Sequence, residues 1–351
     1  MNYLWRISMH INSSASSHDI RIDRLKVFAA FLVVLQHSIS ATWTSYAPDT
    51  FTWKITNFIF ILSRSAVVLF FMCSGAGMLK REHSIEEVLK KNILRLLKVY
   101  LGWMLIYGFF DSLSLLQQGL GSFRTIINAF LKCILFGKYH TWFIFALIGL
   151  YLITPFLSGI TESRKNMRYF ILLSLIFNLL FPLLTQFPQL DRLMANLANL
   201  NIPFVSGYIL YYITGYYISK IEWKRSYSLT AVFGLIISYL AAYLYSTHIS
   251  VVQGGPYQAI YDEFGICGFL IAVSVFSLFQ SSKPLRENRL CTCLLQSGIG
   301  IYLLHPLLLP LFDGFKGLSR IAAAIFLYLI SALICYFISQ VKVLRNLFLK
   351  S

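Results

Sequence analysis

A chain of 351 residues that is 57% hydrophobic and 13% charged carries about half the charged fraction of a soluble globular protein. Its mean hydropathy of +0.67 excludes a soluble domain, and the lack of ~10-residue alternating segments argues against a transmembrane β-barrel. The net charge of +16 does not point to a nucleic-acid partner, because the basic residues fall in short segments between apolar runs, where they orient membrane helices.

The first twenty residues, MNYLWRISMHINSSASSHDI, are polar and serine-rich and have neither the apolar core nor the cleavage site of a signal peptide. They read as a flexible cytoplasmic tail over 1–20. Ten apolar stretches follow, at residues 25–43, 57–79, 93–116, 141–160, 168–187, 203–220, 227–247, 262–281, 293–312 and 320–341. The longest outer connection, Gln117–His140, predicts a short interfacial helix around Ile126–Phe136. With the N-terminus inside, Lys and Arg favour the cytoplasmic segments by about three to one. The reading is an all-α, polytopic bundle of about ten spans over residues 21–345, with a cytoplasmic end at 346–351 and both termini inside. Six cysteines, Cys73, Cys133, Cys267, Cys291, Cys293 and Cys335, lie in or beside apolar runs and read as small buried hydrophobes. Cys291-Thr-Cys293 has no second ligand pair, so no metal site is expected.

Ionisable residues within a span are costly, so the default reading of each is functional. In the first span, RLKVFAAFLVVLQHSIS, Lys26 and His37 are eleven positions apart, within about 20° of one helix face. Lys26 then lies at the cytoplasmic mouth, with His37 ~16 Å deeper on the same wall. In the second, ILSRSAVVLFFMCSGAGML, Arg64 lies ~10 Å from the outer end. In the ninth, SGIGIYLLHPLLLP, His305 comes ~18 Å into its span and at the depth of His37. Structural alternatives stay open: His37 as a packing contact, Arg64 paired with Asp111 or a carbonyl, and His305 satisfying a carbonyl that Pro306 frees. Lys91, Arg95 and Lys98 in KKNILRLLK share a face that can hold phosphates or anchor the cytoplasmic end. His140 and Trp142, in KYHTWFIFALIGLYLITPFL, sit at the outer interface and suit either a substrate or an aromatic belt.

DRLKVFAAFLVVLQH, SRSAVVLFFMCSGAGML, HTWFIFALIGLYLITPFL and GIYLLHPLLL resemble, in this order and spacing, the membrane-bound acyltransferase 3 family, across about residues 20–345. With no fused esterase-like domain, the chain is similar to the bundle-only branch, which includes the bacterial O-acetyltransferase of enterobacterial common antigen. The resemblance implies transfer of an acyl group, usually acetyl, to a hydroxyl of a surface polysaccharide or a lipid-linked glycan in the bacterial inner membrane. Acyl-CoA is then a co-substrate, and no resident cofactor is implied. The family's basic residue and histidine, ten positions between them, fall on Lys26 and His37, and its span-two arginine on Arg64. The family's Arg-x-x-Arg pattern is here Asn92-Ile-Leu-Arg95, so only Arg95 carries over, with Lys91 beside it.

Acyl transfer needs a base for the acceptor hydroxyl, a role for His37, and positive charge where an oxyanion develops, a role for Arg64. His305 joins them as a candidate catalytic residue. Lys26, Lys91 and Arg95 are the candidate CoA-phosphate ligands, and His140 and Trp142 the candidate acceptor contacts. The competing reading is a glycolipid transporter or flippase with the same residues lining a polar path, although no inverted repeat is visible.

Overall fold

A computed structural model describes residues 19–185, 187–200, 202–283 and 289–349. Residues 1–18 of the expected tail lie outside these, as do the side chains of Cys291 and Cys293 and the last two residues, while Asp19 and Ile20 belong to the start of the first helix. The described residues contain helices and turns and no strand. Inside a bilayer the backbone must satisfy its own hydrogen bonds, and local i to i+4 pairing is how an apolar chain does so.

The apolar stretches are largely helical, although the one at 57–79 is divided between two helices and the one at 203–220 holds a helix of only 11 residues. The main helices are α1 (Ile20–Ser45), α2 (Phe51–Arg64), α3 (Ala66–Met78), α4 (Leu94–Gln117), α5 (Phe123–Phe136) and α6 (Trp142–Ile153). They are followed by α7 (Arg164–Leu175), α8 (Ile209–Ser219), α9 (Arg225–Gln253), α10 (Ile266–Ser281), α11 (Arg289–Leu308) and α12 (Ser319–Gln340). Among the described residues, seven helical stretches are long and apolar enough to cross a membrane; Ile266–Ser281 and Ser297–Phe312 are apolar but shorter. Side-chain oxygens start several helices. Asp19 accepts from Arg21 N at 3.1 Å, Thr50 from Trp53 N at 3.2 Å, Ser122 from Thr125 N at 3.3 Å and Ser163 from Asn166 N at 3.0 Å. The predicted interfacial helix is α5, and its exposed Phe123, Ile127, Leu131 and Leu135 recur every four residues on one face.

α1 is the central post. It packs against α2, α3, α10, α11 and α12, and Leu25, Ala29, Ala30 and Val34 on it are fully buried. α9 lies at the periphery, with Phe233, Ile237, Leu244 and Val252 exposed as a lipid-facing surface. α3 and α8 approach backbone to backbone. A Cβ on Gly75 would fall 1.8 Å from the Tyr212 carbonyl oxygen, and one on Gly215 2.2 Å from that of Met72. Small residues of this kind let membrane helices pack without a hydrophobic drive between them.

The second apolar stretch is interrupted at Ser65, whose backbone keeps the αR conformation and carries α2 directly into α3. The Ser65 hydroxyl donates to Leu62 O at 2.7 Å, satisfying part of the interrupted ladder. This break leaves Arg64 as the last residue of α2, turned toward the connection between α9 and α10.

Candidate functional site

His37 on α1 and His305 on α11 meet inside the bundle. Nδ1 of His37 lies 2.7 Å from Nε2 of His305, and the rings stack at 4.9 Å with 25° between planes. His305 is fully buried, and its Nδ1 lies 3.0 Å from the Ile301 carbonyl oxygen one turn back. A carbonyl only accepts, so Nδ1 of His305 carries the proton. A neutral His305 then presents a lone pair at Nε2, so His37 donates from Nδ1 and keeps its own lone pair at Nε2. The chain Ile301 carbonyl–His305–His37 thus fixes one tautomer of His37. His305 satisfies a carbonyl, as one sequence reading had it, and also contacts His37. Pro306, lacking an N–H, leaves the Tyr302 carbonyl without its helical donor, and that group faces the same ring.

His140 joins this pair from the short turn before α6. It is 2% exposed, and its ring centre lies 6.4 Å from that of His305. Tyr107, Tyr139 and Tyr302 surround it at 5.4, 5.1 and 6.0 Å. The Tyr302 hydroxyl donates to its carbonyl oxygen, and the Tyr107 hydroxyl donates to Leu303 O at 2.8 Å. Neither ring nitrogen of His140 has a partner among the described residues. Burial, then the neighbouring His37 and Lys138, push this imidazole down to about 3, so it stays neutral at physiological pH.

Arg64 does not pair with Asp111, which is held by Lys138 at 2.6 and 2.8 Å. Its partners are Asp262 and, at 2.6 Å, Glu263 Oε2, in the connection between α9 and α10. The amide of Gln36, the neighbour of His37, lies 3.1 Å from Ser63 O and 2.9 Å from Arg64 Nη1; assigned with its nitrogen toward the carbonyl, it donates to the first and accepts from the second. Nε of Arg64 has no partner among the described residues. Burial and the adjoining Asp262 push the Glu263 carboxyl up to about 7, as two acids compete for one guanidinium. The connection is itself anchored: the Tyr211 hydroxyl donates to Glu263 O, and Tyr261 donates to Asn57 Oδ1 at 3.0 Å. Trp43 donates to the same oxygen at 3.0 Å.

The remaining candidates lie apart from the histidines. Lys26 is 3.8 Å from Asp23 near the start of α1, close enough to act on the buried Cys73 of α3. Arg95 acts on Tyr151, whose hydroxyl is paired with Ser74, the next residue of α3. Lys91 is exposed and 3.6 Å from Glu87. Trp142 stacks on Tyr208 at 5.4 Å, in an aromatic run with Phe71 and Phe264, rather than on the histidines. Among the described residues no group of three His, Cys, Asp or Glu side chains is arranged to hold a metal ion.

Gln36, Asp262, Glu263, Tyr107, Tyr139 and Tyr302 escaped the sequence reading. The one available signal was acidic: YDEFG places two carboxylates at the edge of an apolar stretch, and an intramembrane arginine calls for such a partner.

The model of the acyltransferase 3 family, described as an acyltransferase domain, matches residues 19–340. No match was found among curated proteins or among solved structures.

Proposed function

The chain belongs to the acyltransferase 3 family, and we propose that this membrane acyltransferase is an O-acetyltransferase that moves acetyl from acetyl-CoA to a hydroxyl of a bacterial surface polysaccharide or its lipid-linked precursor. Its proposed setting is the inner membrane, with about ten spans and both termini cytoplasmic, a reading that the distribution of Lys and Arg supports. Enterobacterial common antigen is the acceptor that the sequence resemblance suggests.

The observation that carries this reading is the 2.7 Å contact between His37 and His305, which leaves Nε2 of His37 as a directed base. The acceptor hydroxyl gives its proton to that nitrogen as its oxygen attacks the thioester carbonyl. The carbon–oxygen bond forms, and charge collects on the former carbonyl oxygen. The unpartnered Nε–H of Arg64 is the available donor for that charge, held in place by two carboxylates and Gln36. The carbon–sulfur bond then breaks, and the proton on His37 passes to the departing CoA thiolate. No acyl-enzyme is needed: the only described side chain that hydrogen-bonds the His37 ring is His305, which is not an acyl carrier. Lys26 near the start of α1, together with Arg95 and Lys91, supplies positive charge for CoA phosphates in this reading. His140, with Trp142 on the adjoining helix, faces the acceptor side.

The test is mass spectrometry of surface glycans from a strain lacking the gene, complemented by wild type or by His37→Ala at equal expression. Wild type restores an acetyl mass increment and the variant does not. Full restoration by His37→Ala sinks the assignment, and a glycolipid transporter would leave acetyl-CoA unconsumed by the purified protein.

A further inference from the structure

Tyr139 carries a large ring into the open beside a cluster that is otherwise closed. Its ring centre lies 5.6 Å from that of His37 and 5.1 Å from that of His140. Tyr139 is 67% exposed, whereas Tyr107, Tyr302 and His140 of the same cluster are 5, 4 and 2% exposed. We propose that Tyr139 is the platform on which the saccharide of the acceptor stacks, and that the acceptor reaches His37 along the accessible stripe of α1 formed by Ser40, Ala41 and Thr44. The proposal rests on the acyltransferase reading and assigns it an acceptor-positioning residue.

Access comes first. His37 is itself partly exposed, and the open surface continues from it in one direction. Ser40 and Ala41 are partly exposed and Thr44 is exposed; three, four and seven positions on, they share the helix face of His37. In the other direction that face is closed, because Val34, Val33 and Ala30, at the same intervals, are buried. A ligand therefore meets His37 from the end of α1 opposite Lys26. The stripe also has the right chemistry. The Ser40 hydroxyl donates to His37 O at 2.9 Å and the Thr44 hydroxyl to Ser40 O at 3.1 Å. With their protons engaged on the helix, both keep lone pairs for the donating hydroxyls of a sugar. A lipid-facing surface is apolar instead, as on α9 with Phe233 and Ile237.

The turn that carries Tyr139 is braced from both sides. Thr141 N donates to Lys138 O at 2.8 Å, Lys138 N donates to Thr141 Oγ1 at 3.2 Å, and the Lys138 ammonium is 2.6 Å from Asp111. Gly137, with φ of 68°, starts the turn, and a Cβ there would lie 2.3 Å from Thr141 Oγ1. The ring is thus held in place by its backbone although little packs over it. Its face carries the negative side of the aromatic quadrupole, which attracts the C–H groups on the flat side of a pyranose. A sugar stacked there lies against the residue that takes the proton.

The experiment uses detergent-solubilised protein, radiolabelled acetyl-CoA, and the glycolipid extract of a strain lacking the gene as acceptor. The variants are Tyr139→Ala, Tyr139→Phe, and Thr44→Trp, which narrows the path from an exposed position. Tyr139→Ala and Thr44→Trp should each raise the extract concentration giving half-maximal labelling by about tenfold or more, with the KM for acetyl-CoA within about a factor of two. Tyr139→Phe keeps the ring and should return that concentration to within about threefold of wild type. An unchanged dependence on extract in Tyr139→Ala makes the ring an interfacial aromatic and overturns the proposal, and the same result in Thr44→Trp overturns the path along α1. Equal impairment of Tyr139→Phe and Tyr139→Ala overturns the stacking role, because the hydroxyl would then be the acting group. A fall in kcat alone, or an equal rise in both half-saturation values, also overturns it, because the residues would then act on the fold. If wild type fails to label the extract, or His37→Ala labels it as well as wild type, the underlying acyltransferase reading fails instead.

Discussion

His305 accepts a hydrogen bond from His37 at 2.7 Å while donating one to the Ile301 carbonyl at 3.0 Å, so a buried residue on one helix dictates which nitrogen of its neighbour is basic. Replacing the donor and replacing the orienting residue should therefore have unequal effects. His37→Ala is expected to lower kcat by about 10³-fold or more, and His305→Ala by about 10²-fold, with the KM for acetyl-CoA nearly unchanged in both. His305→Gln, which keeps an acceptor near the Nε2 position, should recover part of that loss. Steady-state release of CoA thiol measures all three, and a His305→Ala enzyme with wild-type kcat would remove His305 from the mechanism.

Arg64 neutralises two carboxylates, and truncating it strands both. Arg64→Ala should cost about 3 kcal/mol of stability and abolish transfer. Adding Asp262→Asn and Glu263→Gln to that variant should restore thermal stability in detergent without restoring activity, because the charges are gone but so is the donor. Arg64→Lys should fall short as well, since one ammonium cannot span Asp262, Glu263 and Gln36 together. Recovery of activity in the triple variant would place Arg64 in a purely structural role.

Glu263 gives a pH prediction with a definite sign. Its carboxyl is raised from the ordinary 4.5 to about 7 in the folded chain, so protonation favours the fold. That stabilisation is complete below about pH 4.5 and is lost as pH rises through about 7. The melting temperature of wild type should therefore decline from pH 5 to pH 8 relative to Glu263→Gln, which lacks the titrating group. Parallel pH curves for the two proteins would contradict the assignment.

His140 inverts the usual relation between stability and conservation of chemistry. Both of its nitrogens are buried without partners among the described residues, so His140→Phe should raise thermal stability, by up to about 1–3 kcal/mol. The same substitution should lower transfer at least tenfold. A variant that is less stable yet fully active would show that the imidazole serves packing alone.

Much of the architecture was legible before any coordinates, because a bilayer imposes one rule everywhere: about twenty apolar residues in helical form. Seven of the helical stretches among the described residues follow from that rule, and the others are shorter than it asks. The meeting of His37 and His305 was foreshadowed by depth alone, since helical rise converts sequence position into height. Azimuth was not legible, because nothing local to Arg64 says which neighbouring helix it faces. Its partners come from a connection almost two hundred positions away, and Asp111, the nearer acid in sequence, belongs to Lys138. Gln36 was invisible for another reason: a neutral amide in a span carries no charge signature, and the carbonyl and guanidinium that it bridges lie on a different helix.

The relay behind His37 ends on the Ile301 carbonyl, a dipole, and not on an anion. In a triad that ends on a carboxylate, a resident negative charge balances the imidazolium formed in each turnover and lets it persist. Here the cation has no such counterweight behind it, and Arg64 stands on the same side of the bundle. The proton on His37 must therefore be a brief visitor, handed to the leaving sulfur almost as soon as it arrives. Such an enzyme has little means of waiting in a half-finished state, so donor and acceptor must both be seated before the first bond moves.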